Sequence, residues 1–227
     1  MSTVSPRRVA PAPLAGAVRT VDRWGLLAGV TGFYGNVLLL VLFTTPADGP
    51  WSWTGPASDT TGIVSPLAMI PVAAALRTVC GGRRGLGAIS SLAIVAMAGM
   101  AAVSMLFVLG GVSFAMSVDS SYVGLAFMFG WVFAVGLAGR TSGRLPRQIS
   151  NCGAALGAAG LAGAVLLLAV SAPMPAYSLI SDVALGAKVL LGIPVALYPV
   201  WLIVLSYRLP GHLADVVGST SRPLEEV

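Results

Sequence analysis

The sequence predicts an all-α fold, a polytopic transmembrane helix bundle of six spans with N-terminus and C-terminus both cytoplasmic. Three observations carry this expectation. The chain is 56% hydrophobic and only 9% charged, with a mean hydropathy of +0.89, whereas a soluble domain carries roughly a quarter charged residues. Its charge-free runs lie near the roughly 20 residues that a helix needs to cross a bilayer core. Its basic residues occupy every second connection between those runs.

Residues 1–23, rich in Pro, Ala and Arg, read as a disordered cytoplasmic tail. The apolar segment behind them is too long for a signal peptide and lacks a small-residue cleavage site, so it counts as a span. The spans read 24–44, 62–79, 86–112, 121–139, 152–172 and 183–207, within a transmembrane domain over 24–208. Residues 209–227 are expected to form a cytoplasmic C-terminal tail.

Charge sets the orientation. Arg7, Arg8, Arg19 and Arg23 precede the first span; Arg77, in the last turn of the second span, with Arg83 and Arg84 marks the passage to the third; Arg140, Arg144 and Arg147 join the fourth to the fifth; Arg208 and Arg222 follow the sixth. The other three connections hold no Lys or Arg but contain Asp48, Asp59, Asp119 and Asp182. An excess of basic residues marks the cytoplasmic side, which gives a multi-pass membrane protein with both ends inside. The net charge of +5 lies in these short clusters and not along one soluble face, so nucleic acid is not an expected partner. Cys80 and Cys152 fall at the same reducing side, and no disulfide framework is implied. The longest outer connection, 45–61, carries Trp51 and Trp53 and reads as a segment lying at headgroup depth, with a lid over a cavity as the alternative.

Small residues at Gly25, Gly29 and Gly32, and again at Gly153, Gly157 and Gly160, share the i, i+4, i+7 spacing of one helix face. A parallel contact between the first and fifth spans is one expectation, and packing of each face on some other helix is the alternative. Pro66 and Pro71 in the second span, and Pro194 and Pro199 in the sixth, remove backbone donors and favour kinks. Space between those two spans follows.

Candidate ligand-binding residues are Lys188, Asn36, Tyr34, Tyr198 and Trp131. A charge within a span is costly and usually faces a cavity or an ion partner, so Lys188 reads either as snorkelling or ion-paired, or as a group for an anion, a lipid headgroup or a substrate. Asn36 needs a partner in lipid, by default an interhelical hydrogen bond. Catalytic candidates are Asp59, Asp119 and Asp182, each placed just before a helix that enters from outside. That position suits N-terminal capping, and the competing reading is a desolvated carboxyl that donates a proton. Met97, Met100, Met105 and Met128 lack companion Cys or His within the membrane, so they read as adaptable packing and not as a metal site. His212, the only histidine, follows the last span. There is no Walker loop, nucleophile elbow, HExxH, CxxC or paired-carboxylate diphosphate motif, and no cofactor is implied.

The stretch WSWTGPASDTTGIVSPLAMIPVAAALR, the string RLPRQISNCGAALGAAG and the closing PVWLIVLSYRL resemble a family of small six-helix bacterial membrane proteins with no assigned activity, similar in composition to high-GC actinobacterial chains. The resemblance implies the topology and a multi-pass protein of the bacterial plasma (inner) membrane, and no chemistry. Two functional readings follow from the residues. The first is a binding or permeation module, or an accessory subunit, with a site in the outer half near Lys188. The second is a membrane-embedded enzyme, such as a cyclase or isomerase, that uses one Asp as general acid on an apolar, isoprenoid-like substrate. Expected partners are membrane lipids, a small apolar or anionic ligand, and either a second copy or a partner membrane subunit.

Overall fold

The structure is a computed structural model and describes residues 12–44, 53–82, 84–171 and 177–219. These form six helices: α1 (Ala12–Thr44), α2 (Thr54–Val79), α3 (Arg84–Val108), α4 (Phe114–Ser142), α5 (Arg147–Ser171) and α6 (Tyr177–Ser219). Each is long and apolar enough to cross a membrane. The outer surface agrees with that, because Val95, Leu109, Leu40 and Leu185 are among many large apolar side chains left exposed, an arrangement that water would penalise.

The helices begin earlier than the charge-free runs. Residues 12–23, expected as tail, are the first three turns of α1. Leu14, Ala17, Val18 and Val21 recur there at helical spacing and pack into the core, with Ala17 and Val21 buried and Arg19, Asp22 and Arg23 exposed. The charges thus sit on one face and do not end the helix. Pro13 is tolerated because the first turn has no intrahelical use for its missing N–H. Similarly, α6 continues through Arg208 to Ser219, with Leu209 and Leu213 buried, so much of the expected C-terminal tail is helical. Residues 54–61 of the expected outer connection are the first two turns of α2, with Trp53 at its N-cap, while residues 45–52, Trp51 among them, lie outside the described residues. Helix α3 instead stops short, at Val108. Gly110 takes a φ of +74°, and the Gly111 N–H reaches back to the Leu106 carbonyl at 2.8 Å, a reversal that closes the helix C-terminus.

Consecutive helices pack on one another, and α6 closes the ring by packing on α1. Helices α1 and α6 run antiparallel, since Val21 and Asn36 of α1 lie against Ser206 and Val195 of α6. The described ends of the chain therefore share one end of the bundle. Arg77, Arg84, Arg140, Arg144, Arg147 and Arg208 lie at that basic end, and Asp59 and Asp119 at the opposite end. Tyr198 reaches across the ring, donating to Met69 Sδ of α2 at 2.6 Å and meeting the Phe129 ring of α4 edge-on at 6.0 Å. The middle of the ring is filled by side chains.

The glycine faces serve other neighbours than a shared α1–α5 contact. Gly25, Gly29 and Gly32 bring α1 against Ser206, Ile203 and Pro199 of α6. On α5, Gly157 lies on the backbone of Phe129 and Phe133 and Gly160 on the Phe129 ring, both of α4, whereas Gly153 makes room for Trp201 of α6. The two faces are therefore used around the ring, between sequence neighbours and at its closure.

At the basic end, the Arg144 guanidinium donates to the Val79 carbonyl at 3.2 Å, and His212 lies 3.1 Å from the Gly143 carbonyl. Beside this corner, burial pushes the Cys80 thiol up to about 11 from its ordinary 9.0, with the charge of Arg144 acting in the opposite sense. Cys152 is exposed. The thiolate is the reactive form, so N-ethylmaleimide at pH 7.5 is expected to modify Cys152 alone, and Cys152→Ser to leave no reactive thiol until the protein is denatured. Prompt labelling of Cys80 in the folded Cys152→Ser protein would refute this packing. Because the folded thiol titrates above the free one, its contribution to stability is complete below about 9 and is lost as pH rises through about 11.

Candidate functional site

A cavity of about 240 Å³ lies in the half of the bundle away from the termini, between α1, α2, α3, α4 and α6. Its walls follow from two sequence features. Gly32 and Gly35 let α1 sit close to Pro199 and Thr61, and the prolines of α2 and α6 place Pro66 and Pro199 on the lining. Hydroxyls of Ser58, Thr61, Ser65, Ser104 and Ser121 contribute polar lining, and Met69, Met97, Met100 and Met128 contribute the apolar part. Thr61, Ser65 and Ser121 donate to backbone carbonyls at 2.7, 3.2 and 2.8 Å. Their oxygen lone pairs remain as acceptors.

Asn36 is the best-determined polar group of this cavity. Its Nδ2 donates to the Val195 carbonyl at 3.0 Å, which is the carbonyl that the ring nitrogen of Pro199, four residues on, cannot serve. The expected interhelical hydrogen bond is present and repairs a proline defect. Tyr198 also lines the cavity, with its hydroxyl committed to Met69.

The other candidates lie elsewhere. Tyr34 is exposed on the outside of α1. Trp131 is fully buried in α4 and does not line the cavity, and its indole N–H has no partner among the described residues. Lys188 is exposed and is absent from the cavity wall, and no ion pair engages it among the described residues. One helical step sets this: Ala187 is buried, so Lys188 is carried about 100° away from the core. The acids are not helix caps. Asp59 and Asp119 each sit five residues beyond the first residue of their helix, and Trp53 and Ser113 hold the cap positions, with Ser113 Oγ accepting from the Met116 N–H at 3.3 Å. Asp182 likewise lies inside α6, although its side chain is outside the described residues. Asp59 is half-buried, Asp119 is exposed, and neither lines the cavity.

The cavity thus offers acceptor oxygens, one primary amide and pliable thioethers, and no charged group among the described residues. Thioether side chains adapt their rotamers to the shape of what they enclose. Ser65 and Ser104 stand out in the sequence as polar groups within spans, but Met69 carries no such signal, and the five hydroxyls from three helices converge only after the ring has closed.

No protein-family model, curated protein or solved structure matches this chain. The functional reading therefore rests on the geometry.

Proposed function

We propose that this chain is a multi-pass protein of the bacterial plasma membrane, with both termini cytoplasmic, that binds a small neutral amphiphile in the outer half of its bundle without catalysing a reaction. The basic end supports the orientation, since Arg residues are retained on the cytoplasmic side. The observation that carries the binding reading is the cavity of about 240 Å³ with hydroxyl and amide groups on its wall, methionines beside them and no charge among the described residues. Such sites use apolar walls for affinity and a few polar groups for orientation. A general acid would have to reach the substrate, and among the candidates with described side chains neither Asp59 nor Asp119 is on the wall, so those two lend the enzymatic alternative no support. Buried Met69, Tyr198 and Phe129, which meet across the ring, favour binding over a through-path.

The test is comparative mass spectrometry of small molecules that copurify with the full chain. Gly62 lines the cavity, and a Cβ there has only Ser104 Oγ nearby, at 3.7 Å, so Gly62→Leu projects a side chain into the space. Gly62→Leu is expected to lose about 80% or more of a specific copurifying compound, from a one-residue obstruction of about 1–3 kcal/mol, while Lys188→Met retains it. Equal retention by wild type and Gly62→Leu refutes the cavity as the site, and loss with Lys188→Met alone returns the site to that lysine.

A further inference from the structure

A second concavity lies at the basic end, remote from the cavity above. It is a groove of about 320 Å³ on the outer surface between α5 and α6. Ile149 and Leu156 of α5 face Leu197, Val200 and Val204 of α6 across it, and Trp201 also lines it. The indole N–H of Trp201 is already given to the Ile149 carbonyl at 2.9 Å, and Gly153 admits the ring. This part of the groove therefore presents no unsatisfied donor. Polar groups lie at one end only, where Arg208 and Gln148 complete the lining.

Two magnitudes identify what fits. Arg208 and Leu197 are eleven residues apart on one helix, so the groove runs about 16 Å along α6. That is close to half of a hydrocarbon core of about 30 Å, hence one leaflet. Among the described residues, the charge at its polar end is also uncompensated. Helix α5 starts at Arg147 with no acid in its first turn, which places a guanidinium at the end of the helix dipole that favours an anion. No ion pair engages Arg147 or Arg208 among the described residues.

We propose that this groove binds one anionic phospholipid of the leaflet at the basic end, its phosphate at Arg208 and Gln148 and one acyl chain along Leu197, Val200 and Val204. The apolar length selects a lipid over a free anion, since only a chain covers it. The guanidiniums select an anionic lipid over a zwitterionic one, by about fivefold for each basic group near the headgroup layer. The site is independent of the distal cavity, and neither reading depends on the other.

The experiment uses the full chain with equal amounts of phosphatidylglycerol and phosphatidylcholine of matched acyl chains, and counts retained lipids by native mass spectrometry. Phosphatidylglycerol is expected to be retained in preference by at least about fivefold, and to slow maleimide modification of Cys152, which lines the groove. Arg208→Gln should lower the preference about fivefold. Val204→Trp, which alters no charge and fills the groove from its exposed wall, should abolish retention of either lipid. Equal retention of the two lipids by the wild-type protein overturns the proposal. So does a preference that survives both substitutions, or protection of Cys152 by inorganic phosphate as complete as that by the lipid.

Discussion

Gly157→Leu is expected to cost the fold about 3 kcal/mol or more, the upper end of what overpacking costs. The reason is what the new side chain would meet. A Cβ on Gly157 falls on the backbone N and Cα of Phe133 and within 2.8 Å of the Phe129 carbonyl oxygen, and a helix backbone has no alternative rotamer. Helices α4 and α5 would have to separate, and with them the neighbouring contacts of Gly160 on Phe129 and Gly136 on Ser150 and Ala154. Association of helices in lipid lacks a hydrophobic drive and depends on this close approach, so separation forfeits much of the interface. The control is Gly99→Ala on α3, where an added Cβ has nothing within 4 Å. Its expected change is under about 1 kcal/mol, in the stabilising direction, because alanine restricts the unfolded backbone. Unfolding in mixed micelles, followed by exposure of Cys80 in a Cys152→Ser background, measures both. Equal stability of Gly157→Leu and wild type would mean that α4 and α5 do not cross there.

How much of this was legible in the sequence differs between the two classes of residue. Six helices follow from composition and from alternating charge, and the helix ends at Thr44 and Val79 coincide with the expected ends of the first two spans. The starts do not, because a charge ends a hydropathy run without ending a helix. Arg19, Asp22 and Arg23 sit on the exposed face of α1 while Val21 between them is buried. The apolar spacing from Leu14 to Val21 was the signal available, and it outweighs the Pro- and Arg-rich composition of the same stretch. The acidic residues were misplaced for the same reason: once each helix is extended toward its N-terminus, Asp59, Asp119 and Asp182 lie inside a helix and not at its cap.

For the site, periodicity identified the requirement and not the partner. The glycine faces required close neighbours, but only closure of the ring shows that α1 meets α6 and that α5 meets α4 and α6. Lys188 drew attention because charge is costly in lipid, yet a rotation of one residue against the buried Ala187 takes it off the core. A long stem with a charged head satisfies that cost by reaching toward the interface, which needs no cavity. Asn36 had the opposite history. Its need for a partner was evident, and the partner proved to be a carbonyl exposed by a proline far away in sequence.

That coupling between Asn36 and Pro199 yields an expectation with an internal control. Asn36→Leu should destabilise the bundle by about 1–2 kcal/mol, the upper range for an interhelical hydrogen bond in a membrane, because the Val195 carbonyl then has no donor from either helix. Pro199→Ala restores an N–H four residues beyond Val195 and so supplies the missing intrahelical bond. In that background Asn36→Leu should cost less than about 0.5 kcal/mol, leaving a coupling energy of about 1 kcal/mol in the double-mutant cycle. Additive costs would show that Asn36 does not serve the proline defect. The cycle also separates structure from binding. If Asn36 acts only as a brace, ligand retention in the double variant should match that of Pro199→Ala alone. If its remaining amide groups also hold the ligand, retention should fall in every background that lacks Asn36, because Asn36 lies on the cavity wall and its oxygen and second N–H are not used by Val195.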